Sequence, residues 1–446
     1  MSQIQAPHAP ATEVAVPSLN SPHMRRILAS SFIGSAIEFY DFILYATAAS
    51  LVFNKVFFVD MAPSVALFAS FATLAVGYLA RPLGGIIFGH FGDKLGRKGV
   101  LITSMVMMGV ASTIIGLLPP TAQVGMIAPI ALIALRIIQG LAVGGEWGGA
   151  MLMALEHAPK ERRGFAASFA NMGGPAGAVL ATLAVSAVST LPNEAFLAWG
   201  WRIPFIASLG LVAIGLVIRL KVTESPLFLA LEDEAEEKKI PLMQVLTKYP
   251  KSVIMGTLVG MSSYTVQGLM TVWAISYVVE DAGMDRTAVL NVKAVGATLT
   301  ILGVWLAARY SDKLGRRPVM MFGIVSGAVL AMPIMLMLQL GELWLFAIAL
   351  FLANGLIQGT IFGPFGAFTA ELFPTRIRYT GASLVYQLSS TLGAGFTPMI
   401  VAALVLFAGG SLWVVGAVWA SVFVLAALAM RGIKEGKDAD LAAENM

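Results

Sequence analysis

Cysteine is absent from this 446-residue sequence, and charged residues are scarce. Without cysteine there can be no disulfide and no thiolate metal site. Charged residues make up 12% of the chain, about half the share found in a soluble globular protein. The four histidines are too dispersed to form a metal site. No phosphate-binding loop is present. These absences argue against a soluble enzyme, an ATP-driven pump and a nucleic-acid-binding protein.

Apolar residues are abundant instead, at 58% of the chain with a mean hydropathy of +0.82. Charged residues form short islands between apolar runs that are long enough to cross about 30 Å of hydrocarbon. The pattern predicts an all-α polytopic membrane protein with twelve transmembrane helices. The predicted spans are residues 27–53, 63–91, 99–118, 124–155, 164–190, 202–220, 252–279, 287–308, 318–339, 343–370, 379–408 and 410–430.

The basic residues predict the orientation of these spans. Of the 29 lysines and arginines, 23 fall on the side that carries both termini, and two lie within spans. Cytoplasmic loops of membrane proteins are enriched in basic residues, so both termini are predicted to be cytoplasmic. The net charge of +4 then reflects topology and not a nucleic-acid partner. The four basic residues on the opposite side are Lys55, Arg202, Arg286 and Lys293.

Five regions follow from this pattern. Residues 1–24 are rich in Pro, Ala and His, and are predicted to be a disordered cytoplasmic tail and not a signal peptide. Six spans form an N-terminal bundle over 25–220, and six more form a C-terminal bundle over 251–431. Between them, 221–250 is a hydrophilic cytoplasmic linker, and 432–446 is a second cytoplasmic tail.

An internal repeat relates the two bundles. GHFGDKLGRK at 89–98 matches ARYSDKLGRR at 308–317, and both copies lie on the predicted cytoplasmic side. The halves are therefore parallel repeats about an axis along the membrane normal, a symmetry found in transporters that rock two bundles around a central site. Two further residues of the first half, Glu156 and Arg163, recur in the second half as Glu371 and Arg378.

The duplicated loop and the twelve spans resemble the major facilitator superfamily. A finer resemblance is to the metabolite:proton symporter family, which includes shikimate, 2-oxoglutarate, citrate and proline/betaine carriers. It rests on AIEFYDF at 36–42, RPLGGIIFGHFGDKLGRK at 81–98, GEWGGA at 145–150 and WGWRIPF at 199–205. The resemblance implies two six-helix bundles around a small-molecule site and a monomer in the bilayer of the bacterial inner membrane. The coupling ion would be a proton, with no cofactor and no metal.

Five charged residues are assigned to the interior of the predicted spans, all in the first half: Glu38, Asp41, Arg81, Arg136 and Glu146. A charge in hydrocarbon costs several kcal/mol unless it is paired or wetted, so such residues often mark pathways or proton relays. The alternative is that they form structural ion pairs between helices. The spans of the second half are predicted to contain no charge.

Asp41 and Glu38 share one helix face, which Tyr45 extends. Two nearby carboxylates in a low dielectric are not both ionised at neutral pH, so one is expected to hold a proton. In the related sugar:proton carriers an acid on helix 1 pairs with an arginine on helix 4. By resemblance, protonation of Asp41 would release Arg136 for an anionic substrate. Gln139, three residues further on, joins this predicted substrate and ion-pair set.

Glu146 and Arg81 are predicted to lie at similar depths, about 15 Å nearer the cytoplasm than Arg136. They would form either a second switching pair or a fixed bridge. A separate set of charges is predicted to form the cytoplasmic gate, because acids favour helix N-termini and bases favour C-termini. Positive-inside topology alone explains the bases of this set but not its repeated acids. The gate residues are Asp93, Arg97, Lys98, Asp312, Arg316, Arg317, Glu156, Arg163, Glu371 and Arg378.

The second half offers neutral candidates for substrate contact. Tyr264 and Gln267 share a face of the seventh span, and Gln358 lies in the tenth. The alternative role for such residues is hydrogen bonding between helices.

The sequence thus predicts a proton-coupled symporter that imports a small polar metabolite, most simply an organic acid. One alternative is a symporter of a zwitterionic osmolyte such as betaine or proline. Another is a proton antiporter that exports a drug or metabolite, because Asn171 to Gly177 partly resembles the antiporter motif of the fifth span. A membrane receptor or an intramembrane enzyme is disfavoured by the duplicated loops and by the lack of a nucleophile–base constellation.

Overall fold

The structure is a computed structural model, and it describes residues 21–95, 97–144, 146–156, 158–220, 241–374 and 377–437. Within these ranges the chain is almost entirely helical and contains no strand. Most of both predicted tails and of the linker lies outside the described residues, as do several side chains within helices.

The first half contains six long helices, and the fourth is interrupted near Gly144. The fifth and sixth helices are joined by the short segments Asn193–Ala195 and Phe196–Gly200. The six helices are α1 Pro22–Leu51, α2 Pro63–Leu95, α3 Arg97–Leu117, α4 Ile127–Val143 continued by Glu146–Glu156, α5 Arg163–Ser189 and α6 Arg202–Leu220.

The second half repeats this plan after the short helix Pro241–Lys248. Its first, fourth and fifth long helices each contain a π-helical segment. The helices are α7 Pro250–Gly268 continued by Leu269–Trp273 and Ala274–Glu280, α8 Arg286–Leu314, α9 Arg316–Gln339, α10 Leu343–Phe351 continued by Leu352–Gln358 and Gly359–Glu371, α11 Arg378–Ser390 continued by Thr391–Gly395 and Thr397–Phe407, and α12 Trp413–Arg431.

Ten helices of the described chain are long and apolar enough to cross a membrane. The other two predicted spans correspond to α3, whose apolar stretch Ile102–Leu117 is shorter, and to the segmented helix α7. The predicted all-α fold with twelve transmembrane helices is thereby confirmed. Since α1 begins and α12 ends at one face of the molecule, we call it the terminus face and the other the opposite face.

Close packing of α2 against α4 gives the first half a rigid centre. A side chain at Gly140 would collide with the backbone oxygen of Gly77, and one at Gly144 would collide with the backbone oxygen of Arg81. Small residues allow membrane helices to approach to backbone contact, where dispersion forces are largest. The two halves meet mainly where α5 runs along α8 and where α2 packs on α11.

Candidate functional site

Asp41 is buried in the first half, where α1 meets α3 and α6. Its side chain is 2% exposed, and its Oδ1 accepts a hydrogen bond from Ser208 Oγ at 2.6 Å. The hydroxyl of Ser112 on α3 lies within electrostatic range of the same carboxyl group. Hydroxyl partners can stabilise either protonation state of a carboxyl group, because a hydroxyl both donates and accepts.

A relay of hydrogen bonds leads from Asp41 to Arg136. Gln139 Nε2 donates to Ser112 Oγ at 2.7 Å, and Arg136 Nη1 donates to Gln139 Oε1 at 3.1 Å. Each donor in this relay points towards the carboxylate. The hydrogen bonds polarise one another, so the positive charge of Arg136 stabilises a negative charge on Asp41 from a distance. Among the described residues, no ion pair joins Asp41 directly to Arg136. The predicted direct pair is therefore replaced by a relay through Gln139 and Ser112.

Phe42 contacts two buried arginines of the first half, Arg81 and Arg136. The Arg81 guanidinium carbon lies 3.7 Å from the centroid of the Phe42 ring, and that of Arg136 lies 4.0 Å from it. Arg136 also lies 4.0 Å from the ring of Tyr45, and Arg81 lies 4.2 Å from that of Tyr78. Such cation–π contacts are strongest where water is excluded.

The sequence predicts Arg81 nearer the cytoplasm than Arg136, and its long side chain brings its guanidinium group to the same Phe42 ring as that of Arg136. The Glu146 side chain lies outside the described residues, so its pairing with Arg81 stays a prediction. Glu38 is buried, and it lies within electrostatic range of Tyr78 and of Tyr386 in the second half. Tyr45 donates a hydrogen bond to Thr73 Oγ1 at 2.7 Å.

A central cavity lies between the halves, on the other side of α1 from Asp41. Phe39 and Ile43 line it from the first half, and Lys293 lines it from the second. Neither Asp41 nor Arg136 is among the described residues that line it. Gly174, Pro175 and Ala178 of α5 also line it, as do Ala297 and Phe362. The neutral polar side chains of the wall come from α7, α8 and α10, and these are Gln267, Thr271, Thr300, Asn354 and Gln358.

Lys293 corrects the assumption that the second half has no charge in its spans. It is 2% exposed, and its Nζ donates to Thr47 Oγ1 on α1 at 2.7 Å. Its position near the start of the eighth span predicts that it lies on the opposite side of the membrane. The signal that it is buried was its position six residues inside the predicted span 287–308.

Helix α1 presents its two faces to two different sites. Phe39, Ile43 and Thr47 are spaced four apart and lie on the cavity face. Asp41 is two residues from Phe39, a rotation of about 200° around the helix. The buried acid and the cavity are thus separated by the thickness of one helix.

The neutral residues predicted in the second half divide between two places. Gln267 and Gln358 line the cavity, whereas Tyr264 is not among its described lining residues. Tyr264 packs edge-on against Tyr386, with ring centroids 5.7 Å apart, and Tyr386 stacks on Trp147 of α4 at 3.8 Å. These three rings form an aromatic contact between the halves, on the terminus side of the cavity.

At the terminus face, Asp312 joins the halves. Its Oδ1 and Oδ2 accept hydrogen bonds from the backbone N–H groups of Gly164 and Phe165, both at 2.9 Å. These N–H groups are at the N-terminus of α5, where a carboxylate is favoured by the helix dipole. Arg316 bridges Asp312 at 2.6 Å and Glu371 at 3.1 Å. We call this group of five residues the latch.

The other predicted gate residues are placed less completely. The Arg317 backbone N–H donates to Glu435 Oε2 at 2.9 Å, and the Arg378 Nε donates to the backbone oxygen of Ala370 at 3.0 Å. Arg163 is half-buried at the start of α5. The remaining predicted gate side chains lie outside the described residues, and these are Asp93, Arg97, Lys98 and Glu156.

Contacts at the opposite face also join the halves. Lys55 Nζ lies 2.6 Å from Glu280 Oε1, and Ser50 Oγ donates to the backbone oxygen of Val272 at 2.9 Å. Ser186 donates to Asn291 at 2.7 Å. The described contacts thus hold the halves together on both sides of the cavity.

Two six-helix halves that meet around a central cavity, with contacts on both sides of it, define a secondary transporter. The chain belongs to the Major Facilitator Superfamily, whose family model matches residues 31–398. It is a multi-pass membrane protein that transports small metabolites, and it is not an enzyme. The family predicted from the duplicated loops is confirmed.

Two transporters of known substrate and one solved structure are similar to this chain. The chain is 38% identical to the shikimate transporter of Escherichia coli, over 88% of this chain and 91% of that protein. It is 34% identical to the proline/betaine transporter of the same species, over 89% of this chain and 81% of that protein. The crystal structure of a D-xylose-proton symporter matches with a TM-score of 0.72 and 19% identity, over 94% of this chain and 99% of that one. The last likeness concerns the fold alone.

Proposed function

We propose that this transporter couples proton entry to the import of a small carboxylate across the bacterial inner membrane, with both termini in the cytoplasm. The observation that carries the proposal is Asp41, a buried carboxyl group held by hydroxyls and connected to Arg136 only through a relay. A buried acid with neutral partners can gain and lose a proton without breaking an ion pair. The proton is the coupling ion, and no cofactor is invoked.

Helix α1 links the protonation state of Asp41 to the cavity. Ionised Asp41 attracts the donors of Ser208 and Ser112, and protonation replaces one of those attractions with a donated hydrogen bond. The resulting change acts on the helix whose other face carries Ile43 and Thr47. Proton occupancy and substrate occupancy are thereby linked through one rigid element.

A carboxylate substrate is supported by the likeness to a shikimate transporter and by the polar side chains among the residues that line the cavity. A zwitterionic osmolyte is the second candidate, because a proline/betaine transporter is also similar. The rings of Phe39 and Phe362 line the cavity and are groups on which a quaternary ammonium can rest.

Proton coupling is tested with Asp41→Asn in proteoliposomes. We expect the variant to lose accumulation driven by an inward proton gradient and to keep exchange of labelled for unlabelled substrate, because exchange needs no change in protonation. Asp60→Asn is the matched control, since Asp60 is exposed outside the helices. Acid-driven accumulation equal to that of the wild type would overturn the role of Asp41.

The direction of coupling and the substrate class need separate readouts. In proteoliposomes, substrate addition should acidify the lumen for a symporter and alkalinise it for an antiporter.

The substrate class is tested by measuring how much shikimate, proline and betaine each stabilise the purified protein against heat. A ligand that binds the native state raises the midpoint of thermal unfolding, so the size of the increase ranks the candidates. Stabilisation by betaine without any by shikimate would favour the zwitterionic candidate.

A further inference from the structure

We infer that Lys293 binds the carboxylate of the substrate, and that the transporter selects small monocarboxylates over di- and tricarboxylates. The inference rests on the proposal that the substrate is a carboxylate. It adds which residue binds the carboxylate and how many carboxylates the substrate carries. It does not depend on proton coupling.

The first support is the setting of the ammonium group. Lys293 is buried at the cavity, and none of the described residues forms an ion pair with it. An ammonium has three N–H donors, and the hydroxyl of Thr47 accepts one of them. A charge held in this way within a membrane helix is costly and usually serves transport.

The hydroxyl of Thr47 is itself committed, because it donates to the backbone oxygen of Ile43 at 2.7 Å. It can therefore offer only lone pairs to Lys293, and it holds the ammonium at the cavity without neutralising it. A carboxylate that enters the cavity would supply the missing negative charge through a charge-assisted hydrogen bond.

The second support is the composition of the remaining wall. Among the described lining residues, Lys293 is the only charged side chain, and the others are apolar or neutral and polar. The amides of Gln267, Asn354 and Gln358 can each donate and accept, as hydroxyl or carbonyl groups of a substrate require. One cation neutralises one carboxylate, and a second carboxylate would be buried without a partner, at a large cost.

The test measures equilibrium binding to the purified protein without a proton gradient. The probes are shikimate, lactate and 3-hydroxybenzoate, each compared with its primary amide, and succinate and citrate as multivalent anions. We expect the best monocarboxylate to bind the wild type about 10- to 100-fold more tightly than its amide. Succinate and citrate should bind more weakly than that monocarboxylate.

Three variants test whether Lys293 binds the substrate or only connects α8 to α1. Lys293→Gln should lose the preference for acid over amide, whereas Lys293→Arg should keep it. Thr47→Val removes the hydrogen bond to α1 and leaves the lysine in place, so it should also keep the preference. If Lys293 served only to tie α8 to α1, Thr47→Val and Lys293→Gln would change binding alike, and the inference would be overturned.

The wild type alone is sufficient to contradict the inference. An amide that binds as tightly as its acid, or a dicarboxylate that binds more tightly than every monocarboxylate, would refute it even if Lys293→Gln did not fold. Failure of the Asp41→Asn prediction would leave this result unaffected, because the binding assay involves no coupled transport.

Discussion

Arg136 rests on aromatic rings rather than on a carboxylate. Its guanidinium lies 4.0 Å from the ring centroids of both Phe42 and Tyr45, and its Nη1 reaches Gln139. The planar guanidinium can stack on rings and hydrogen bond at its edge at the same time, which an ammonium cannot do. The residue therefore belongs to the hydrogen-bond relay that leads to Asp41, and it lies outside the described lining of the cavity.

We therefore expect Arg136→Lys to lower proton-driven uptake by more than tenfold while substrate affinity changes less than threefold. A lysine keeps the charge but loses the stacking and the bond that orients Gln139. Initial uptake rates and equilibrium binding measured on the same preparation provide the comparison. Arg431→Lys is the matched control, because Arg431 is exposed at the end of α12. Weaker binding together with unchanged coupling would contradict the relay.

The sequence located the buried acids and arginines of the first half because charges inside long apolar runs are conspicuous. It could not show that Ser112 and Ser208 hold Asp41, since serines are frequent in membrane helices and carry no sign of their partners. Lys293 was missed for a different reason. A lysine near a helix end can extend its amine towards water, so the sequence alone does not distinguish a buried amine from an exposed one.

At the scale of helices, α2 and α4 depend on glycines for their contact. Gly140→Ala is expected to destabilise the protein by about 1–3 kcal/mol, because the added methyl group would meet the backbone of Gly77, which cannot move aside as a side chain can. The midpoint of thermal unfolding of the purified protein should fall. Gly210→Ala on α6 is the control, since no atom lies within 4 Å of the added carbon. Equal midpoints for the two variants would argue against close packing here.

The helices themselves were largely predictable, since the twelve apolar runs became twelve helical spans. The π-helical segments were not, because an extra residue in one turn depends on which neighbours are packed around it and leaves no periodic signature. Leu352–Gln358 shows this, for it includes both Asn354 and Gln358 of the cavity wall. The polarity of Gln358 predicted that it contacts the substrate, whereas nothing in the sequence predicted that it lies in a π-helical segment.

At the scale of the whole molecule, the latch joins the two halves at the terminus face, and the ion pair Lys55–Glu280 joins them at the opposite face. We expect Asp312→Asn to raise access to the cavity from the terminus face about two- to fivefold, because it weakens the charge at the N-terminus of α5. Lys55→Gln should raise access from the other face, since it removes the ion pair with Glu280.

Access is measured as the rate at which a membrane-impermeant thiol reagent labels Ala297→Cys at the cavity wall. The chain has no cysteine, so this thiol is the only one present. The reagent is applied separately to each side of oriented vesicles, and Ala297→Cys without a second change is the reference. Equal labelling rates in all three proteins would mean that neither contact limits opening.

The duplicated loop predicted that Asp312 belongs to a gate, yet not that its partner is the backbone of α5. Gly164 and Phe165 lie almost 150 positions earlier in the chain and offer only N–H groups, which every residue but proline has. Contacts that use the main chain across such a separation are set by the arrangement of the halves. They appear only when the whole fold is known.

The π-helical segments of α7, α10 and α11 have a mechanical consequence. Each holds one residue more than an α-helical turn would, so its conversion to α-helix would shift the following part of the helix by one position in register. That shift amounts to about 1.5 Å along the axis and about 100° around it. Such a conversion would re-aim groups such as Gln358 by a screw motion within a single helix, without any movement of the two halves as whole bodies.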